Sequence, residues 1–110
     1  MPMRRSTFTV LAFSLATAPA FAQGGDATCP RDVVVAQSMQ RQALDQLEQA
    51  ELSDIAKSCR VWRRHVDTMR RVAAVYGRCL SGGERNAGLA QVQGSEKEFA
   101  EAIRTRCKGL

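Results

Sequence analysis

Cys29, Cys59, Cys79 and Cys107 carry the most chemistry in this chain of 110 residues. Four thiols can form two disulfides, hold a zinc ion or cycle as a redox dithiol. Zinc sites bring their ligands in close pairs such as C-x2-C. Here the gaps are 29, 19 and 27 residues, and His65 is the only histidine, so the spacing argues against a metal. No C-x-x-C is present, so a thioredoxin-type redox site has no support. An even cysteine count in a small chain reads as disulfides where the compartment is oxidising.

Other reactive residues are sparse. His65 would be the base of any hydrolase, but it stands between Arg64 and Val66 beside an apolar seam, which predicts a surface position. Asp45, Glu48, Glu51 and Asp54 have the residue types of a glycosidase pair. A domain this small has little room for the necessary cleft, so they read as an acidic solvated face. Gly82-Gly83 lacks the lysine and preceding strand of a phosphate loop. No cofactor motif is found. Met39 and Met69 fall on apolar seams and read as core filler.

The middle of the chain is unusually rich in arginine. Arg60, Arg64, Arg71 and Arg78 form one flank of a helical seam, with Arg63 and Arg70 on the other. A guanidinium row can grip phosphates or carboxylates. The competing expectation is that the arginines shield the seam and pair with the acidic face on helix 1. Trp62 and Tyr76 lie on the seam, so the aromatic platform of a single-strand nucleic-acid binder is absent.

These residues must be positioned by the mature chain alone, because the N-terminus reads as a targeting segment. Arg4 and Arg5 precede an uncharged apolar stretch from Phe8 to Ala18, followed by Pro19-Ala20-Phe21-Ala22. A basic start, a short apolar centre and an Ala-x-Ala exit make a cleavable signal peptide over 1–22. The apolar stretch is shorter than the ~20 residues of a membrane span. Residues 23–30 read as a short polar tail and 31–110 as one helical domain. The chain is +5 overall; without Arg4 and Arg5 it carries 14 basic and 11 acidic residues, or +3. That is too little to imply a nucleic-acid partner.

The domain shows helical periodicity throughout and no alternating strand pattern. Ile55, Cys59, Trp62, Val66, Met69, Ala73, Tyr76 and Leu80 follow at alternating spacings of four and three. That is a helical seam, stopped by Gly82-Gly83. Ala36, Met39, Ala43, Leu47 and Ala50 share a face of an earlier helix opened by Pro30. Leu89, Val92, Phe99 and Ile103 mark a third helix. It either runs from about Glu84 or restarts at Ser95, where Ser95 to Glu98 has the form of a capping box. The boundary between the first two helices carries no Gly or Pro; Ser53 or Asp54 is the candidate cap.

Cysteine positions resolve that boundary. Residues facing each other in an antiparallel hairpin are equidistant from its turn. Cys29 and Cys79 have their midpoint at 54, beside the candidate cap. Cys59 and Cys107 have theirs at 83, in the glycine stop. Cys59 and Cys79 share one helix and would sit about 30 Å apart, far beyond the roughly 7 Å limit for bridged Cα atoms, and Cys29–Cys59 and Cys79–Cys107 would each join opposite ends of the bundle. The expected fold is therefore all-α: an up-down-up three-helix bundle cross-linked by Cys29–Cys79 and Cys59–Cys107.

The functional expectation is a periplasmic or secreted, non-enzymatic module that binds another protein, chaperone-like or inhibitor-like. The alternative is an envelope protein binding anions, such as lipopolysaccharide or lipid headgroups, through Arg60, Arg64, Arg71 and Arg78. A small hydrolase is third.

Overall fold

The computed structural model describes residues 26–110, and the signal-peptide reading of residues 1–22 lies outside them. Three helices account for nearly all of the described chain: α1 Cys29–Ala50, α2 Ile55–Cys79 and α3 Gly82–Arg106. No strand occurs among the described residues. The fold is an up-down-up three-helix bundle.

Each boundary has a local cause. Pro30 sits in the first turn of α1, where its missing N–H costs nothing. Asp26 accepts hydrogen bonds from the Thr28 backbone N–H (2.9 Å) and hydroxyl (2.7 Å), closing the chain just ahead of it. α1 begins at Cys29, two residues before the boundary expected at 31. Asp54 caps α2, its carboxylate accepting from the Lys57 N–H at 2.8 Å. α2 gives way to α3 within two residues, Leu80 and Ser81, because Gly82 takes φ +57°, a conformation that side-chain-bearing residues rarely adopt. α3 is then continuous through Gly88, Gly94 and Ser95, so Ser95 caps nothing. Its hydroxyl is used across the helix interface instead.

Both expected disulfides are present. Cα atoms are 5.2 Å apart in Cys29–Cys79 and 5.8 Å in Cys59–Cys107. The first ties the start of α1 to the end of α2; the second ties the start of α2 to the end of α3. Each closes a loop of about 50 residues, worth on the order of 4 kcal/mol in the chain-entropy picture.

α2 is the middle helix. It packs against both neighbours, whereas no Cα of α1 lies within 8 Å of a Cα of α3. The core is Ala36 and Ala43 from α1, Met69, Val72 and Tyr76 from α2, and Val92 from α3. Alanines at the α1 contact let that helix lie close to α2. Tyr76 spans the gap between the outer helices. Its hydroxyl donates to Gln40 Oε1 of α1 at 2.9 Å, while its ring lies against Gly88 of α3. A Cβ at Gly88 would stand 3.0 Å from Tyr76 Cδ2 and 3.4 Å from Leu80 Cδ1, so this glycine is what admits the ring. Burial pushes the Tyr76 phenol above its ordinary pKa.

The buried face of α2 is wider than the expected seam. Cys59, Val66, Met69 and Tyr76 are buried as expected, but so are Ser58, Val61, His65 and Val72. Ile55 at the head of the seam is 40% exposed. A helix with one neighbour needs one stripe; a central helix with two neighbours buries two.

Candidate functional site

The surface position expected for His65 is corrected by the structure: the side chain is only 2% exposed. It lies on the α2–α3 interface, where its Nε2 is 2.7 Å from Ser95 Oγ. The Phe99 ring meets it edge-on with centroids 4.7 Å apart. His65 Nδ1 is buried and has no hydrogen-bond partner among the described residues. Burial lowers the His65 pKa, with the Glu98 carboxylate pulling weakly the other way. The ring is thus neutral at pH 7. The tautomer with Nε2–H donating to Ser95 leaves only a bare lone pair at Nδ1, whereas the other would strand a buried N–H.

A serine hydroxyl within reach of an imidazole is the first half of a hydrolytic dyad. The second half is missing. Among the described residues no carboxylate bonds to Nδ1, and Ser95 sits mid-helix, where its neighbours' N–H groups are committed to the helix and cannot form an oxyanion hole. What the pair does is hold α3 against α2.

One opening lies at the end of the bundle that carries Cys59–Cys107. A cleft of about 240 Å³ is lined by Ala50 and Glu51 from the end of α1, Ile55, Ser58 and Trp62 from α2, and Arg106 from α3. It exists because the outer helices do not meet over α2. Ser58 Oγ donates to the Ala50 carbonyl at 3.1 Å and fixes the end of α1 over α2. Trp62 lines it, its ring tilted against Phe99 of α3 with centroids 6.3 Å apart. The Arg106 guanidinium lies 5.1 Å from the centre of the Trp62 ring, a cation–π geometry worth about 0.5–1 kcal/mol near a surface. Beside the cleft, the α1–α2 turn presents Leu52, which is 94% exposed. Arg63 donates to the Leu110 carbonyl at 2.7 Å, bringing the C-terminus, with its exposed leucine, to the same end.

The arginine row divides in two. Arg78 makes ion pairs with Asp26 and with Asp32 of α1 (3.0 Å), and both carboxylates are held below their usual range. Asp26 falls to about 2, first through its bonds from Thr28 and then through Arg78. Arg78 is therefore paired with the start of α1, as the pairing expectation had it. Arg60, Arg64 and Arg71 are exposed and make no ion pair among the described residues. Arg70, on the other flank, pairs with Glu96 of α3 at 2.8 Å.

Asp45, Glu48, Glu51 and Asp54 are all exposed along the end of α1 and the turn. Only Glu51 lines the cleft, so no carboxylate pair faces a shared space there. All four cysteine sulfurs are in disulfides, leaving no thiolate to act as nucleophile or ligand.

Sequence reasoning missed three residues that shape this end. Ser58, Leu52 and Arg106 belong to no seam or motif. The one available signal was a leucine in a turn otherwise polar, Glu51-Leu52-Ser53-Asp54. No family model, curated protein or solved structure matches this chain.

Proposed function

We propose that this is an exported, non-enzymatic helical module that binds a protein partner through its Cys59–Cys107 end. The observation that carries the reading is Leu52, 94% exposed beside a cleft lined in part by Trp62 and Ile55. Exposing a leucine to this extent gains the fold nothing. An apolar side chain next to a partly apolar concavity with a polar rim is the anatomy of a small protein-binding patch. Glu51 and Arg106, both in the lining, would orient what enters.

The export part rests on the signal-like N-terminus together with two formed disulfides and the absence, among the described residues, of any helix long and apolar enough to cross a membrane. Oxidised cystines persist outside the reducing cytosol. Mass spectrometry of the protein from its native cell should give a chain beginning at Gln23.

The binding reading is tested by cross-linking in the native envelope and comparing wild-type with Leu52→Glu and Ile55→Ser. A partner captured by wild-type and by R60Q/R64Q/R71Q, but lost from the two end variants, is the expected result. Equal capture by wild-type and Leu52→Glu would rule out this end as the binding surface.

A further inference from the structure

We propose that the outward face of α2 is a second, independent docking surface that seats the protein on an anionic membrane through lipid phosphate groups. Arg60, Arg64 and Arg71 lie along that face at spacings of four and seven, spanning about 16 Å of helix. Lys57 extends the row by one turn towards the α1–α2 connection. This inference does not rest on the protein-binding reading, because the two surfaces share no residue.

Among the described residues, these three arginines make no ion pair or side-chain hydrogen bond. Arg78 and Arg70, with similar reach, are each paired with a carboxylate on a neighbouring element. Arg63 donates to a carbonyl and Arg106 covers an aromatic ring. Arg60, Arg64 and Arg71 have none of these partners, and Arg60 and Arg64 stand one turn apart, where like charges repel. Acids with which they were expected to pair, Asp45, Glu48 and Glu51, remain exposed and unpaired along α1. The single acid within the row is Asp67, which makes no ion pair with either neighbour.

The shape of the face selects the ligand. A ridge on one helix has no groove to enclose a soluble anion or a duplex. It has no aromatic side chain to stack a base, since Trp62 lines the cleft at the bundle end against Phe99 and Tyr76 is buried between the helices. A straight row of guanidinium groups does match a plane of closely spaced phosphates, each able to accept two N–H bonds from one arginine. A basic residue near such a surface contributes roughly a five-fold gain in affinity, so the three together account for on the order of 100-fold.

The test is co-sedimentation of the exported, oxidised protein with phosphatidylcholine vesicles containing phosphatidylglycerol, and with phosphatidylcholine alone. Binding to the anionic vesicles only, falling steeply with salt and on the order of 100-fold weaker in R60Q/R64Q/R71Q, is the expected outcome. The control is R31Q/R41Q/R85Q, which removes the same charge from exposed arginines elsewhere and should bind nearly as wild-type. Circular dichroism and an intact disulfide map establish that both triple variants are folded. Equal loss in both variants would reduce the effect to net charge and overturn the proposal. So would equal binding to neutral vesicles. Retention on heparin without vesicle binding, or displacement from vesicles by inorganic phosphate beyond the effect of matched ionic strength, would assign the row to a soluble anion instead. The Leu52→Glu variant should bind vesicles unchanged, which separates this surface from the protein-binding end.

Discussion

His65 of α2 and Ser95 of α3 meet at 2.7 Å inside an interface where the other imidazole nitrogen has no partner among the described residues. That arrangement favours the neutral ring. A proton added at Nδ1 would bury a charge with no acceptor beside it. The folded-state pKa is lowered from the ordinary 6.5, so the unfolded chain takes up the proton first as pH falls.

The sign of the pH dependence follows from that difference. The His65 contribution is fully present above about 6.5, falls as pH drops below 6.5, and stops falling at the folded-state pKa. Urea midpoints measured between neutral and mildly acidic pH should decline for wild-type, and far less for His65→Gln. A His65 pKa at or above 6.5 by NMR would contradict this. Glu98→Gln should lower the pKa further, because the carboxylate favours the charged ring.

Gly88 and Gly94 lie on the same helix and should respond oppositely to alanine. At Gly94 an added Cβ meets nothing within 4 Å, so Gly94→Ala should gain the helix-propensity difference, up to about 1 kcal/mol. At Gly88 the Cβ meets a Tyr76 ring that cannot swing away without losing its bond to Gln40. Overpacking costs about 1–3 kcal/mol, which offsets or exceeds the propensity gain. Thermal melts of the two variants should therefore move apart, with G94A the more stable.

Removing either cystine as a pair of serines should lower stability by about 2–5 kcal/mol. Chemical denaturation of C29S/C79S and C59S/C107S checks this. C59S/C107S should also loosen the cleft, since it frees the end of α3 that carries Arg106. Trp62 fluorescence should then become more accessible to a soluble quencher.

The clamp on the start of α1 should fail in strong acid. Asp26 is held at about 2, so its contribution is present above 3.8 and is lost as pH falls towards 2. The bonds from Thr28 are the larger cause. Carboxyl NMR titration should accordingly show a greater rise in the Asp26 pKa for Thr28→Val than for Arg78→Gln. The reverse order would give the ion pair the leading role.

Much of the fold was legible along the chain. The four-three spacing from Ile55 to Leu80 marked α2, Asp54 proved to be its cap, and both cystines join residues equidistant from a turn. Less of the surface was legible. His65 was placed outside because a single seam was drawn on a helix that buries two stripes. Arg78 was grouped with Arg60, Arg64 and Arg71 because periodicity sees only their common flank, not the carboxylates of Asp26 and Asp32 opposite one of them.

By itself the sequence determined the helices, their turns and the cystine pairing. These depend on local periodicity, on capping within a few residues, and on the fixed rise of a helix, which converts positions along the chain into heights in a bundle. Tertiary structure alone decided which residues share a height and also a side. Whether α1 and α3 close over α2, and hence whether a cleft opens at Trp62, depends on how two helices are rotated about a third. Helical rise carries no information about that rotation; it is set by which side chains fit between them, such as Tyr76 against Gly88.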